Sequence, residues 1–116
     1  MQSSIVNTVH STSTHVPGRA INSAGVHHFI IDGTSDPHEE ITPVDAFLAS
    51  ISACAAHLIE RFGGEAGLPL QRVECAIEGS RPRDEPQRFE HVNLSLTLTG
   101  VEQHQAEELV ERFKGR

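Results

Sequence analysis

The residues that most constrain this chain are Thr42-Pro43-Val44-Asp45 and the long apolar run they open. A hydroxyl residue suits the N-cap, proline suits a first helical position that needs no N–H, and an acid suits the third. From Pro43 to about Phe62 the spacing predicts one helix. Phe47, Ile51, Cys54 and Leu58 share one stripe, and Leu48, Ala55, Ile59 and Phe62 share the next. Ala46, Ala49, Ala53 and Ala56 keep the rest of the circumference small. A helix that is apolar nearly all round until Glu60-Arg61 belongs in the interior, so Cys54 is expected to be buried with it. Gly63-Gly64 is expected to fray or end the helix, since each glycine costs about 1 kcal/mol against alanine. Gly67-Leu68-Pro69 then stops it.

Around this helix the pattern reads as strands. Ile5 and Val9 among Ser, Asn and Thr suit an edge strand over residues 3–8. Residues 20–32, with Val26, Phe29, Ile30 and Ile31 before the turn pair Asp32-Gly33, read as a second strand that forms a hairpin with the first. Residues 34–40 are polar, contain Pro37, and read as a loop. Beyond the helix, Val73, Cys75 and Ile77 alternate with Glu74, Ala76 and Glu78, and Val92, Leu94, Leu96 and Leu98 repeat the alternation. The two runs flank a Pro- and charge-rich loop and read as a hairpin. Val101 to Lys114 is a short amphipathic helix with Ala106, Leu109, Val110 and Phe113 on one side. Its acids are a solvated face, with Glu108 four residues before Arg112 as a weak pair. The order strand, strand, helix, strand, strand, helix is α+β.

The 116 residues suffice for one domain. Five Phe without Trp or Tyr make a thin core, which argues for help from a partner subunit. A net charge of −7 disfavours nucleic acid and anionic membranes as partners. No stretch approaches the roughly 20 apolar residues of a membrane helix, and the first residues lack the basic and apolar regions of a signal peptide. A cytosolic location is therefore expected, in which Cys54 and Cys75, with no CxxC spacing, rest as thiols. His10, His15, His27, His28, His38, His57, His91 and His104 are scattered without ligand spacing, so no metal or cofactor is expected.

Residues 42–62 resemble the central helix of the osmotically inducible protein C / organic hydroperoxide resistance (OsmC/Ohr) family, in which a Pro-x-acidic start leads through small and apolar residues to a cysteine. Residues 67–79, 89–100 and 105–116 are similar to the family's second hairpin and second helix, in the same order. The resemblance, strongest to an OsmC-like branch, runs from about His27 to the C-terminus. It implies an intertwined homodimer, with two central helices packed together and sheets from both subunits around them. It also implies thiol peroxidase chemistry, with Cys54 at the peroxidatic position. Such chemistry needs a thiolate, because an ordinary cysteine with a pKa of about 8.5 is mostly protonated at neutral pH.

Residue by residue the match departs from the peroxidase pattern. The family's Glu ten residues before the cysteine is Val44 here, and Asp45 follows it. Nine residues of helix turn through about 900° and rise roughly 13.5 Å, so Asp45 faces away from its own Cys54. The activating arginine implied by the family has Arg19, the only early basic residue, as its candidate. The resolving cysteine and the strand that the family places after the second helix have no counterpart before Arg116, so either a sheet edge is open or the chain is incomplete, and Cys75 is a core residue. Two readings follow. One is an OsmC-like thiol protein of oxidative-stress defence, with Cys54 as nucleophile, Arg19 and Asp45 as helpers, and an external thiol as reductant of an organic hydroperoxide. The other is a non-catalytic dimer of the same fold that binds a small hydrophobic ligand or serves a structural role. His57, one turn from Cys54, polarises the thiol in the first and is a core or interface residue in the second.

Overall fold

The computed structural model describes residues 3–115, in the order β1 (Val9–Ser13), β2 (Ala20–Ala24), β3 (His27–Ile31), α1 (Pro43–Glu65), β4 (Arg72–Ser80), β5 (His91–Thr99) and α2 (Gln103–Lys114). Two helices and antiparallel sheets make the chain α+β, as its pattern predicts. By contacts the described residues divide into two compact units, which meet in sequence between Phe47 and Leu48.

The first unit is an antiparallel sheet of order β1-β2-β3. The single strand expected over residues 20–32 is two strands. Ala24 pairs with His27, so Gly25-Val26 is a two-residue hairpin loop. Gly25 has φ +62° and Val26 does not lie in the positive region. Positive φ at the first loop position alone is the II′ pattern, which glycine adopts without strain. The edge strand also lies later than expected, at Val9–Ser13 rather than residues 3–8. Asn22 is buried in the middle strand, where its side chain donates to the Phe29 carbonyl and accepts from the Ser11 hydroxyl.

The second unit holds the apolar core. Ile59, Phe62 and Leu109 are buried, with Leu58, Leu68, Leu70, Val73, Leu96, Leu98, Val110 and Phe113 packed around them. β4 and β5 pair from Arg72 opposite Thr99 to Ser80 opposite His91, which sets Val73 beside Leu98, Cys75 beside Leu96 and Ile77 beside Leu94 on the inner face. α2 starts at Gln103, two residues later than the periodicity implied, with Glu102 as its N-cap in a full capping box with Gln105. It is fastened to α1 by Arg112, whose guanidinium lies 4.1 Å from the Phe62 ring centroid and donates to Glu65 at 2.8 Å. The pair expected between Glu108 and Arg112 gives way to this contact, because it also covers an aromatic face.

α1 continues through Gly63-Gly64 to Glu65, past its expected end. Packing holds it there: Gly63 is buried, and a Cβ at that position would stand 2.9 Å from Leu70 Cδ2. At 23 residues α1 is also long enough to cross a bilayer, and over 18 residues its mean hydropathy reaches 1.2. The expectation that no stretch approaches such a segment is corrected to that extent.

Candidate functional site

Arg19 and Asp32 lie one position beyond Ala20–Ile31, the pair that ends the β2–β3 ladder. One position further come Gly18 and Gly33, back to back: a Cβ on Gly18, where φ is +80°, would lie 3.3 Å from the Cα of Gly33. Without side chains there, the two segments approach closely and Arg19 and Asp32 close into an ion pair. Arg19 Nε donates to Asp32 Oδ1 at 2.6 Å, and its Nη2 donates to Asp32 Oδ2 at 2.9 Å and to Glu39 Oε1 at 2.7 Å. The backbone N–H groups of Glu39 and Glu40 donate to the same Asp32 oxygen at 2.8 and 2.9 Å. Asp32 is buried and four donors satisfy it.

The electrostatic consequence is reciprocal. The hydrogen bond from Arg19 holds the Asp32 carboxyl far below the usual carboxylate range, against the opposing effect of burial and with help from the Glu40 and Glu39 N–H groups. Asp32, and after it Glu39, raise the Arg19 guanidinium above its ordinary value. Arg19 is thus held in a clasp that fixes residues 32–40. Sequence reasoning missed Asp32 and Glu39, taking one for a turn residue and the other for loop. Recognising the turn at Gly25 sets the register that pairs 19 with 32.

Asp45 stands at the start of α1, exposed, with its N–H donating to the Thr42 hydroxyl at 3.2 Å. This is the capping geometry its spacing predicts. Further along the same helix, Ala55, Ile59, Phe62 and Gly63 are buried while Ser50, Cys54, His57 and Arg61 are exposed. The expectation of a buried Cys54 is therefore corrected for the single chain. Core contacts approach α1 from one side, and Ala55, Ile59 and Phe62 of the second apolar stripe are buried, whereas Cys54 on the first is not.

The two thiols differ in what they can do. Cys75 faces inward beside Leu96, and burial pushes its pKa up, which disfavours the thiolate. Cys54 is open to solvent, one helical turn from the exposed His57. Among the described residues no group of three or more His, Cys, Asp or Glu is arranged to hold a metal ion.

Solved structures share this architecture. The chain superposes on the OsmC-like protein of Mycoplasma pneumoniae with a TM-score of 0.85 at 13% identity, covering 98% of this chain and 84% of that one. It superposes on the organic hydroperoxide resistance protein OsmC of Legionella pneumophila with a TM-score of 0.68 at 19% identity, covering 95% and 82%. For the organic hydroperoxide resistance protein OhrB of Bacillus subtilis the TM-score is 0.60 at 16% identity, covering 92% and 82%. No curated protein matches the sequence significantly. The family model described as OsmC-like protein matches residues 34–116, well over half of the chain. The fold and this match together place α1, its exposed Cys54 and the β4–β5 hairpin in one known framework: the chain belongs to the OsmC-like protein family.

Proposed function

We propose that this protein acts in oxidative-stress defence as a one-cysteine, thiol-dependent peroxidase for organic hydroperoxides. The observation that carries the reading is the contrast between its thiols: Cys54 is exposed on the helix matched by the family model, whereas Cys75 is turned into the core. Structural relatives that bear the name organic hydroperoxide resistance protein support the substrate class.

The Cys54 thiolate attacks the terminal oxygen of ROOH. An S–O bond forms, the O–O bond breaks, and the alkoxide leaves as ROH once protonated, giving a sulfenic acid. An external thiol then attacks that sulfur, water departs, and a second external thiol releases Cys54 and a disulfide. The sum is ROOH + 2 R′SH → ROH + H2O + R′SSR′. In this cycle His57, one turn away, takes the thiol proton. Arg19 and Asp45 carry no step in this cycle: one is engaged by Asp32 and Glu39, and the other lies in the first turn of α1, its N–H given to the Thr42 cap.

The working form is a homodimer. Among the described residues all the buried apolar ones lie in the second unit, so Ile21 and Phe29 in the first, 47% and 44% exposed, await cover from a second copy. The engagement of Arg19 favours a second reading, a non-catalytic dimer that binds a small hydrophobic ligand. One experiment decides between the two. Cumene hydroperoxide is titrated against wild-type protein and Cys54→Ser, and sulfenic acid is followed by mass spectrometry. Oxidation of Cys54 at least tenfold faster than a free thiol, absent in the variant, supports the peroxidase. Oxidation at the free-thiol rate refutes it.

A further inference from the structure

We propose that a pocket formed by the β4–β5 connection binds the phosphate group of a small organic phosphate monoester. The pocket has a volume of about 460 Å³ and is lined by Gly79, Arg81, Pro82, Arg83 and Pro86. Two guanidinium-bearing residues contribute to it and no acid does, in a chain whose net charge is −7.

The loop is built to hold this arrangement. Glu85 N–H donates to the Pro82 carbonyl, and Arg88 N–H to the Glu85 carbonyl, which makes two successive turns with Pro86 at the favoured second position of the latter. Arg81 is braced from both sides: its Nη1 donates to the Pro86 carbonyl at 3.0 Å, and its guanidinium lies 6.0 Å from the Phe89 ring centroid. Phe89 in turn covers Gly79 so closely that a Cβ there would sit 2.5 Å from the ring. Of the two neighbouring acids, Glu85 is drawn off by Arg88, accepting from its Nε at 2.9 and 3.2 Å, and Asp84 is exposed and outside the lining. Arg83 is exposed and, among the described residues, has no hydrogen bond or ion pair.

Guanidinium forks match the oxygens of phosphate, and two of them balance a dianion. The depression is open to solvent and leaves room for an organic body beside the phosphate. Pro82 and Pro86 offer flat apolar walls for it. The site is independent of Cys54, so the Cys54→Ser protein should bind the same ligands.

The test is an NMR titration of wild-type protein, following backbone amides and Arg Nε–H groups, with phenyl phosphate and inorganic phosphate as probes at ionic strength held constant with sodium chloride. Saturable shifts confined to residues 79–86 are expected, with phenyl phosphate the tighter of the two. Arg83→Gln should weaken both by roughly tenfold while leaving the fold intact, since this side chain has no partner to lose. Asp84→Asn should bind at least as well as wild type. Shifts that grow linearly and are matched by chloride, saturation elsewhere on the protein, or undiminished affinity in Arg83→Gln would overturn the site. Inorganic phosphate binding as tightly as phenyl phosphate would overturn the monoester assignment.

Discussion

Gly63 and Gly64 are adjacent in the last turns of α1, yet alanine should act on them in opposite directions. At Gly64, which is exposed and has no positive φ, a Cβ meets nothing within 4 Å. Only the backbone effect remains there, and Gly64→Ala should stabilise by about 0.5–1 kcal/mol, the lower figure suiting the last turn. At Gly63 the same gain meets a filled space: the new Cβ would stand 2.9 Å from Leu70 Cδ2, 3.4 Å from Leu70 Cβ and 3.7 Å from Leu109 Cδ1. The Leu70 methyl is able to swing, but its Cβ is tied to the backbone and Leu70 itself packs on the Ile59–Phe62–Leu109 core. Overpacking of this kind costs about 1–3 kcal/mol, so Gly63→Ala should destabilise by about 1 kcal/mol net. The gap between the two variants is then about 1.5–2 kcal/mol. Equilibrium urea unfolding followed by far-UV circular dichroism measures it, at one protein concentration throughout, since association shifts apparent stability. A Gly63→Ala protein as stable as Gly64→Ala would refute the claim that Gly63 is required for the approach of α1 to Leu70.

Asp32→Asn tests the clasp through pH. Because the folded-state pKa of Asp32 lies below its unfolded value of about 3.9, its contribution is present above that pH and lost as pH falls further. The variant should melt lower than wild type at pH 7 and decline less steeply on acidification below about pH 4, and parallel melting curves would contradict this. With a thiol-alkylating reagent, native protein should be labelled at Cys54 and not at Cys75 until it is unfolded, as peptide mass mapping can check. Arg112→Ala should cost about 0.5–1 kcal/mol by loss of the stacking on Phe62. Glu65→Gln should be close to neutral, because the Arg112–Glu65 pair is half exposed. Thermal unfolding of the two variants side by side separates the ring contact from the ion pair.

Much of this fold was legible from local pattern. Thr42-Pro43-Val44-Asp45 determined where α1 begins, because cap, proline and first-turn acid act within a single turn. The alternation in residues 72–80 and 91–99 determined a hairpin and its inner face, because side chains in a strand change sides at every residue. The family, too, was legible in the helix around Cys54.

Three features were decided only by tertiary structure. A helix apolar on nearly every side has no preferred face of its own, so contacts with Leu70 and Leu109, not periodicity, buried Ile59 and Phe62 and left Cys54 outward. The turn at Gly25 was hidden within a segment that reads as one strand, and with it the register that sets Arg19 against Asp32, thirteen residues away. Arg112, read locally, had Glu108 in reach, but the ring of Phe62 and the carboxylate of Glu65 were brought to it by the packing of α2 on α1. In each case the deciding partner is distant in sequence, and a pattern read along one segment carries no information about which distant surface will meet it.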